Sequence, residues 1–196
     1  PHTADGEHLG DQRLPEIGRR IPRIAARPPL SSVYRQAHAM LACFVSGKAA
    51  RDGLSRAHAL SQAVTEAIAY EPGATHAHST AAEAVEQGRG VCQDHAHALI
   101  ALAHAAGLPA RYVSGYLLAT EGETPEEASH AWAEIHLASL GWVGFDAANA
   151  CCPDERYIRL GSGRDARDAA PIRGVSRGGG VEALDVTVVV AQQRQQ

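Results

Sequence analysis

The 196-residue sequence has no surplus of positive charge: 18 Lys and Arg stand against 22 Asp and Glu, a formal charge of -4 with His neutral. Without a basic field to hold a polyanion, nucleic acid is excluded as a main partner. Long apolar runs are missing as well. The most apolar stretches, Ala96–Leu108 and Val186–Ala191, are too short or too interrupted by His to cross a bilayer as a helix, so no membrane partner is expected. The four cysteines, Cys43, Cys92, Cys151 and Cys152, contain no C-x-x-C pair, and no secretory leader is visible. Neither a disulfide framework nor a thiolate zinc cage is therefore expected, and the thiols read as reduced and cytoplasmic. The sequence has no G-x-S-x-G elbow, which disfavours a serine hydrolase. It has no D-x-[DN]-x-[DN]-G loop, so no calcium requirement is expected. Gly161-Ser162-Gly163-Arg164-Asp165 lacks the spacing of a phosphate loop and reads as a turn in which Arg164 meets an acid. No cofactor is expected.

What is present suits one domain and an arm. At this length about 70% of the unfolded chain's surface can be buried, which supports a core without staples. Residues 1–30 are rich in Pro, Gly and Arg without a sustained period and read as an arm or linker. The chain starts at Pro1, and we expect it to be part of a longer protein. Residues 31–196 read as one catalytic core. Val33, Ala37, Met40, Leu41 and Phe44 recur at helical steps up to Gly47, with Cys43 on the apolar face. A second helix runs from about Leu54, with Leu60, Val64 and Ile68 on one stripe. Thr80 and Glu83 have capping-box spacing and start a third helix that ends at Gly88. A connector, Gly88-Arg89-Gly90, leads to a fourth that begins at Cys92 and stops at Gly107 and Pro109. After Pro109 the period switches to two. Strands are expected at 112–118, 131–138, 142–145, 157–160, 172–175 and 184–190, with Ser139-Leu140-Gly141 as a hairpin loop. Helices first and strands second make an α+β pattern.

Three positions could carry chemistry together. The thiolate of cysteine is the nucleophile, and Gly90-Val91-Cys92-Gln93-Asp94 places Cys92 at a helix N-terminus, where orphan N–H groups and the positive dipole end favour an anion. Free Cys is equally a common small core residue. His130 opens an alternating strand and could pair with that thiol as general base and acid. If the 131–138 and 142–146 segments form a hairpin, counting back from the loop brings His130 and Asp146 together at its open end. Asp146 could then orient the imidazole.

The segments Gly88–Ala96 (GRGVCQDHA), Gly107–Tyr116 (GLPARYVSGY), Ser129–Glu134 (SHAWAE) and Gly141–Asp146 (GWVGFD), continued by Tyr157-Ile158-Arg159, Gly163-Arg164-Asp165 and Asp168–Gly174, resemble the transglutaminase-like (transglutaminase core) superfamily. More narrowly, they resemble its bacterial branch of thiol proteases. The likeness covers about residues 55–190 in one order. It implies a papain-like α+β fold, with N-terminal helices packed on a C-terminal antiparallel sheet. It also implies Cys92 as nucleophile, His130 as general base and acid, and Asp146 as orienter, acting on protein, peptide or other amide substrates through an acyl-enzyme. Hydrolysis is expected; amine transfer to protein glutamine, or a non-catalytic scaffold, are the rivals. Members usually carry a further β-rich region upstream, for which residues 1–30 are too short. Asp146-Ala147 stands where Asp-Pro is common, His95 where Phe is frequent and His104 where Arg is frequent.

Other features have plainer readings. His95 and His97 lie two apart on a helix and point away from each other, so neither they nor His76-Ala77-His78 make a metal site by spacing. Cys151-Cys152 reads as two loop thiols close to Asp146, with redox control of the site as the alternative. Tyr70 and Trp132 read as core, with cleft wall or oxyanion support as the alternative.

Overall fold

The computed structural model describes residues 52–76, 79–118 and 129–172. The arm, the helix expected over 31–47 with Cys43, and the strands expected at 172–175 and 184–190 lie outside the described residues, Ile172 apart. The elements in chain order are α1 (Gly53–Ala67), β1 (Ala69–Tyr70), α2 (Ala81–Gln87), β2 (Arg89–Gly90), α3 (Cys92–Ala105), β3 (Ala110–Leu117), β4 (Ser129–Leu137), β5 (Gly141–Phe145) and β6 (Tyr157–Gly163). The α+β arrangement is the one expected: helices precede an antiparallel four-stranded sheet of order β5-β4-β3-β6.

Local signals explain most boundaries. Asp52 caps α1 through its carboxylate, which accepts from the Ser55 N–H at 2.8 Å. Thr80 and Glu83 form the reciprocal capping box of α2, and Gly88 closes that helix in the left-handed region at φ 69°. The loop Ala138–Leu140 joins β4 to β5, and the register pairs Leu137 with Gly141 and Ala133 with Phe145. Two short features depart from the sequence reading. Arg89–Gly90 is a parallel ladder with Ala69–Tyr70 and not merely a connector. Gly161–Gly163 continues β6 and is not a turn: a Cβ at Gly161 would sit 2.5 Å from the Ala169 carbonyl oxygen and one at Gly163 would sit 2.6 Å from the Asp168 carbonyl carbon, so the strand passes where only glycine fits. Arg164 does meet an acid, its Nε 3.3 Å from Asp168 Oδ2.

The core lies between α1, α3 and one face of the sheet. Val64 and Ile68 from α1, Leu99 and Ala103 from α3, and Ala133, Ile135 and Phe145 from the hairpin are all buried in one cluster. Burying a large apolar side chain of this kind contributes about 1.5–3 kcal/mol, so helix and hairpin are fixed against one another by several such contacts. Alternation in β4 puts Ala131, Ala133, Ile135 and Leu137 on that face. His130, Trp132 and Glu134 therefore take the other, and the first of them lies at the strand's open end.

Candidate active site

The N-terminus of α3 is fixed before the thiol is placed. Asp94 accepts from the Val91 N–H at 2.9 Å and from the Thr75 hydroxyl at 2.5 Å, and Gly90 leaves room for that carboxylate, since a Cβ there would lie 2.8 Å from Asp94 Oδ2. Cys92 follows as the first residue of the helix, half-buried and reduced. Its own N–H belongs to the orphan donors of a helix start.

The hairpin delivers the other two residues. Gly115 pairs with His130 across β3 and β4, and a Cβ at Gly115 would fall 2.2 Å from the Ile158 carbonyl oxygen and 2.7 Å from the Trp132 ring. That vacancy lets the indole lie flat beside His130, the ring centroids 6.4 Å apart at 27°. His130 Nε2 then meets Asp146 Oδ2 at 2.6 Å. With Nε2 committed, Nδ1 is the nitrogen left for the Cys92 thiol, whose charge and bonding help keep the proton on the ring. The three residues singled out in the sequence are thus brought together. Burial works against a charge on His130, but the bonds and charges of Asp146 and Cys92 outweigh it, and the imidazolium is pushed up to about 9.

Asp146 is 1% exposed and surrounded by donors. Its Oδ1 accepts the backbone N–H groups of Ala148 and Asn149 at 3.0 and 3.2 Å. Its Oδ2 accepts from His130, from Asn149 Nδ2 at 2.8 Å and from the Tyr157 hydroxyl at 2.8 Å. Burial alone would raise this carboxyl; the bonds to His130, Tyr157 and Asn149 hold it below the usual carboxylate range instead. The carboxylate turn is a hairpin of its own: Asp146 and Cys151 exchange backbone hydrogen bonds at 2.8 and 3.0 Å, and Ala150 takes the left-handed conformation at φ 53°. Thr65 of α1 fastens the turn by donating to the Ala147 carbonyl at 2.7 Å.

Asn149 and Tyr157 were not singled out from the sequence as site residues. Asn149 carries one usable signal, since an Asx residue three positions after an Asp is a turn-forming pair. Tyr157 lies eleven residues on, in β6, and only the sheet order brings it back. Burial, the Cys151 bond and the Asp146 charge push the Tyr157 phenol up, so it stays a donor. Its hydroxyl also lies 3.2 Å from Cys151 Sγ. With His58, Ser61, Thr65 and Glu66, Cys151 and Cys152 line a cavity of about 450 Å³ between α1 and the turn, and none of Cys92, His130 and Asp146 lines it. Burial and the neighbouring Cys151 push the Cys152 thiol up.

The two aromatic candidates part company. Trp132 is buried against His130 and Tyr157, while Tyr70 is 54% exposed beside Gly90, so it is no core residue. The histidines two apart on α3 go to different neighbours: His95 is buried between backbone carbonyls, and His97 packs on Tyr112 with ring centroids 4.8 Å apart. Burial holds His97 below its ordinary value despite Asp165 and Asp94. Burial, with the Cys92 and Asp94 charges, pushes Tyr112 up. Among the described residues, no group of three or more His, Cys, Asp or Glu side chains could hold a metal ion. No described helix is long and apolar enough to cross a membrane.

Residues 38–147 match the profile of the transglutaminase-like superfamily. An uncharacterised protein of Mycobacterium leprae is 43% identical over 127 residues, 63% of this chain and 45% of that one. An uncharacterised protein of Mycobacterium tuberculosis is 39% identical over 116 residues, 54% of this chain and 37% of that one. The chain thus spans less than half the length of these curated relatives. Among solved structures, a candidate cysteine protease from Cytophaga hutchinsonii aligns with TM-score 0.58 and 28% identity, over 71% of this chain and 46% of that one. LapG of Legionella pneumophila shares the fold at TM-score 0.52 and 14% identity, over 70% of this chain and 85% of its own.

Proposed function

The chain belongs to the transglutaminase-like superfamily, and from that premise we propose that it is a thiol-dependent acyl-transfer enzyme that hydrolyses amide or peptide bonds through Cys92, His130 and Asp146. The observation that carries the reading is the buried relay at the hairpin's open end. A carboxylate held by five donors is bonded to one nitrogen of an imidazole whose proton is held by that carboxylate and by a thiol at a helix N-terminus together.

In this reading His130 takes the thiol proton, and the Cys92 sulfur attacks the carbonyl carbon of a carboxamide. The negative charge that develops on the carbonyl oxygen is met by the Cys92 backbone N–H and the positive end of α3. The tetrahedral adduct collapses as His130 hands its proton to the leaving amine, and the acyl group stays on sulfur. His130 next deprotonates a water, which attacks the thioester and returns the free thiol. Asp146 keeps Nε2 protonated throughout and fixes the ring so that Nδ1 faces the sulfur, while Asn149 and Tyr157 keep Asp146 in place. The likeness to the candidate cysteine protease of Cytophaga hutchinsonii favours water as acceptor.

Incubation with glutamine-containing peptides and a primary amine, followed by mass analysis, tests the reading. Cleavage or deamidation that disappears in Cys92→Ala is the expected result. Amine incorporation would turn the assignment to transferase, and no turnover with any amide would favour a scaffold.

A further inference from the structure

The vicinal pair Cys151-Cys152 has no part in the mechanism above, yet one of its sulfurs touches the relay. Tyr157 has a single hydroxyl proton, and the charge-assisted bond at 2.8 Å to Asp146 Oδ2 takes it in preference to a thiol sulfur at 3.2 Å. The phenol oxygen is then left to accept, and the Cys151 S–H donates to it. Thiol, phenol and carboxylate thus stand in line, and the carboxylate holds His130 at 2.6 Å. The backbone couples the same two ends: Asp146 and Cys151 face each other across the turn and exchange both hydrogen bonds.

Cys151 also lines the cavity of about 450 Å³ between α1 and the turn, a volume in the range that holds a small organic molecule. Gln62, Glu66 and Cys152 on its rim are exposed, so the cavity opens to solvent. Ser61, Gln62 and Glu66 give the α1 wall hydroxyl, amide and carboxylate groups, and the thiols stand on the opposite wall. Such a lining suits a small polar molecule that reacts with sulfur. A peroxide has no need of the space, whereas a disulfide brings a group that must be housed. We propose that Cys151 is a modification site for a small polar aliphatic disulfide: the attached half occupies this cavity, and loss of the Cys151 donor to Tyr157 loosens Asp146 and slows the enzyme.

The exchange balances. The Cys151 thiol gives up its proton, its sulfur attacks one sulfur of R–S–S–R, a Cys151–S–S–R bond forms, and R–S⁻ leaves and takes a proton. Cys151 is oxidised and the departing sulfur is reduced; excess free thiol runs the step backwards. Closure onto Cys152 is disfavoured, because adjacent Cα atoms stand about 3.8 Å apart and a disulfide needs about 4.4–6.8 Å. Burial and the neighbouring Cys151 push the Cys152 thiol up, which slows that sulfur as a nucleophile.

That the modification slows an enzyme rests on the hydrolytic reading of the site, so the first test is made where that reading plays no part. In Cys92→Ser, hydroxyethyl disulfide is expected to add one hydroxyethylthio group to Cys151, found by peptide mass and removed by dithiothreitol. The proton resonance of the His130 Nε2–H, bonded to Asp146, should move with the adduct. It should stay in place when the reagent is given to Cys92→Ser carrying Cys151→Ser or Tyr157→Phe as well. No adduct on Cys151, an adduct that leaves His130 unmoved, or an equal movement in the Tyr157→Phe protein would each overturn the proposal. In chains that keep Cys92, Cys151→Ala should lower kcat by about threefold to tenfold at constant KM, and Cys151→Ser, which still donates, should restore it. Equal kcat for the Ala and Ser variants would overturn the regulatory claim. Absence of turnover in wild type would sink the hydrolytic reading alone and leave the His130 resonance to decide this one.

Discussion

Replacing Asp146 by Asn is the perturbation whose consequences the geometry fixes best. Asp146 Oδ1 and Oδ2 together receive five donors and face no acceptor. An amide can present only one oxygen, so its NH2 must be aimed either at the backbone N–H groups of Ala148 and Asn149 or at His130, Asn149 and Tyr157. Removing one partner of a buried charge pair costs about 3–5 kcal/mol, and that is the loss of stability expected near neutral pH. The pH dependence is more telling than the size. Between the ordinary value of 6.5 and the value of about 9 in the fold, the His130 imidazolium is stabilised by about 3 kcal/mol at 1.36 kcal/mol per pH unit. Because the folded value is raised, that stabilisation is complete below pH 6.5 and disappears as pH rises through 9. Asp146 has the opposite sense: its folded value is depressed, so its share persists down to the carboxylate range and is lost as pH falls through the lowered value. Urea unfolding of wild type and Asp146→Asn from pH 5 to 10 reads the His130 share, in a range where the Asp146 share is constant. The gap between the two proteins should narrow by about 1–3 kcal/mol on going from pH 6 to above 9, since the variant keeps the part of the stabilisation that Cys92 supplies. A gap that stays constant with pH would refute the ion pair and leave only lost hydrogen bonds.

Further expectations follow from the same site. The pH–rate profile of amide hydrolysis should show an alkaline limb near 9, where His130 loses the proton it must give to the leaving amine. Tyr157→Phe removes one of the donors on Asp146 Oδ2 and should lower kcat about tenfold with a stability loss of about 1 kcal/mol, read by steady-state kinetics and urea titration. Ala150→Gly relieves a left-handed alanine at the turn and should raise stability by about 0.5–1 kcal/mol, the gain being partly offset by the freer unfolded chain. Gly115→Ala forces a methyl group against the Ile158 carbonyl and Trp132; it should destabilise by at least about 1–3 kcal/mol and lower the rate, since Gly115 faces His130 across the strands.

What could be read from the sequence was whatever short-range chemistry writes down. Thr80 and Glu83 announce α2 because a capping box is complete within four residues. Gly141 closes the β4–β5 loop with φ 75°, so the hairpin and the meeting of His130 with Asp146 could be counted from the loop outward. Cys92 was legible as the residue after Gly90-Val91 at a helix start. The two-residue ladder of Ala69–Tyr70 with Arg89–Gly90 was not, because two residues carry no period. Tyr157 could not be placed because its approach to Asp146 depends on β6 pairing with β3 across the sheet, a long-range register. Tyr70 read as core by residue type, yet the short ladder leaves it at the surface. His95 looked like a substitution on a helix face, and only the distance from Ile68 to α3 reveals what its second nitrogen does.

The central claim is that Cys92 is a nucleophile activated by His130, and the rate of iodoacetamide labelling at pH 6, resolved by peptide mass, tests it most directly. Cys92 is expected to react faster than Cys43, Cys151 and Cys152, and to lose that advantage in His130→Ala. Equal rates for all four thiols, or an undiminished Cys92 rate in His130→Ala, would contradict it.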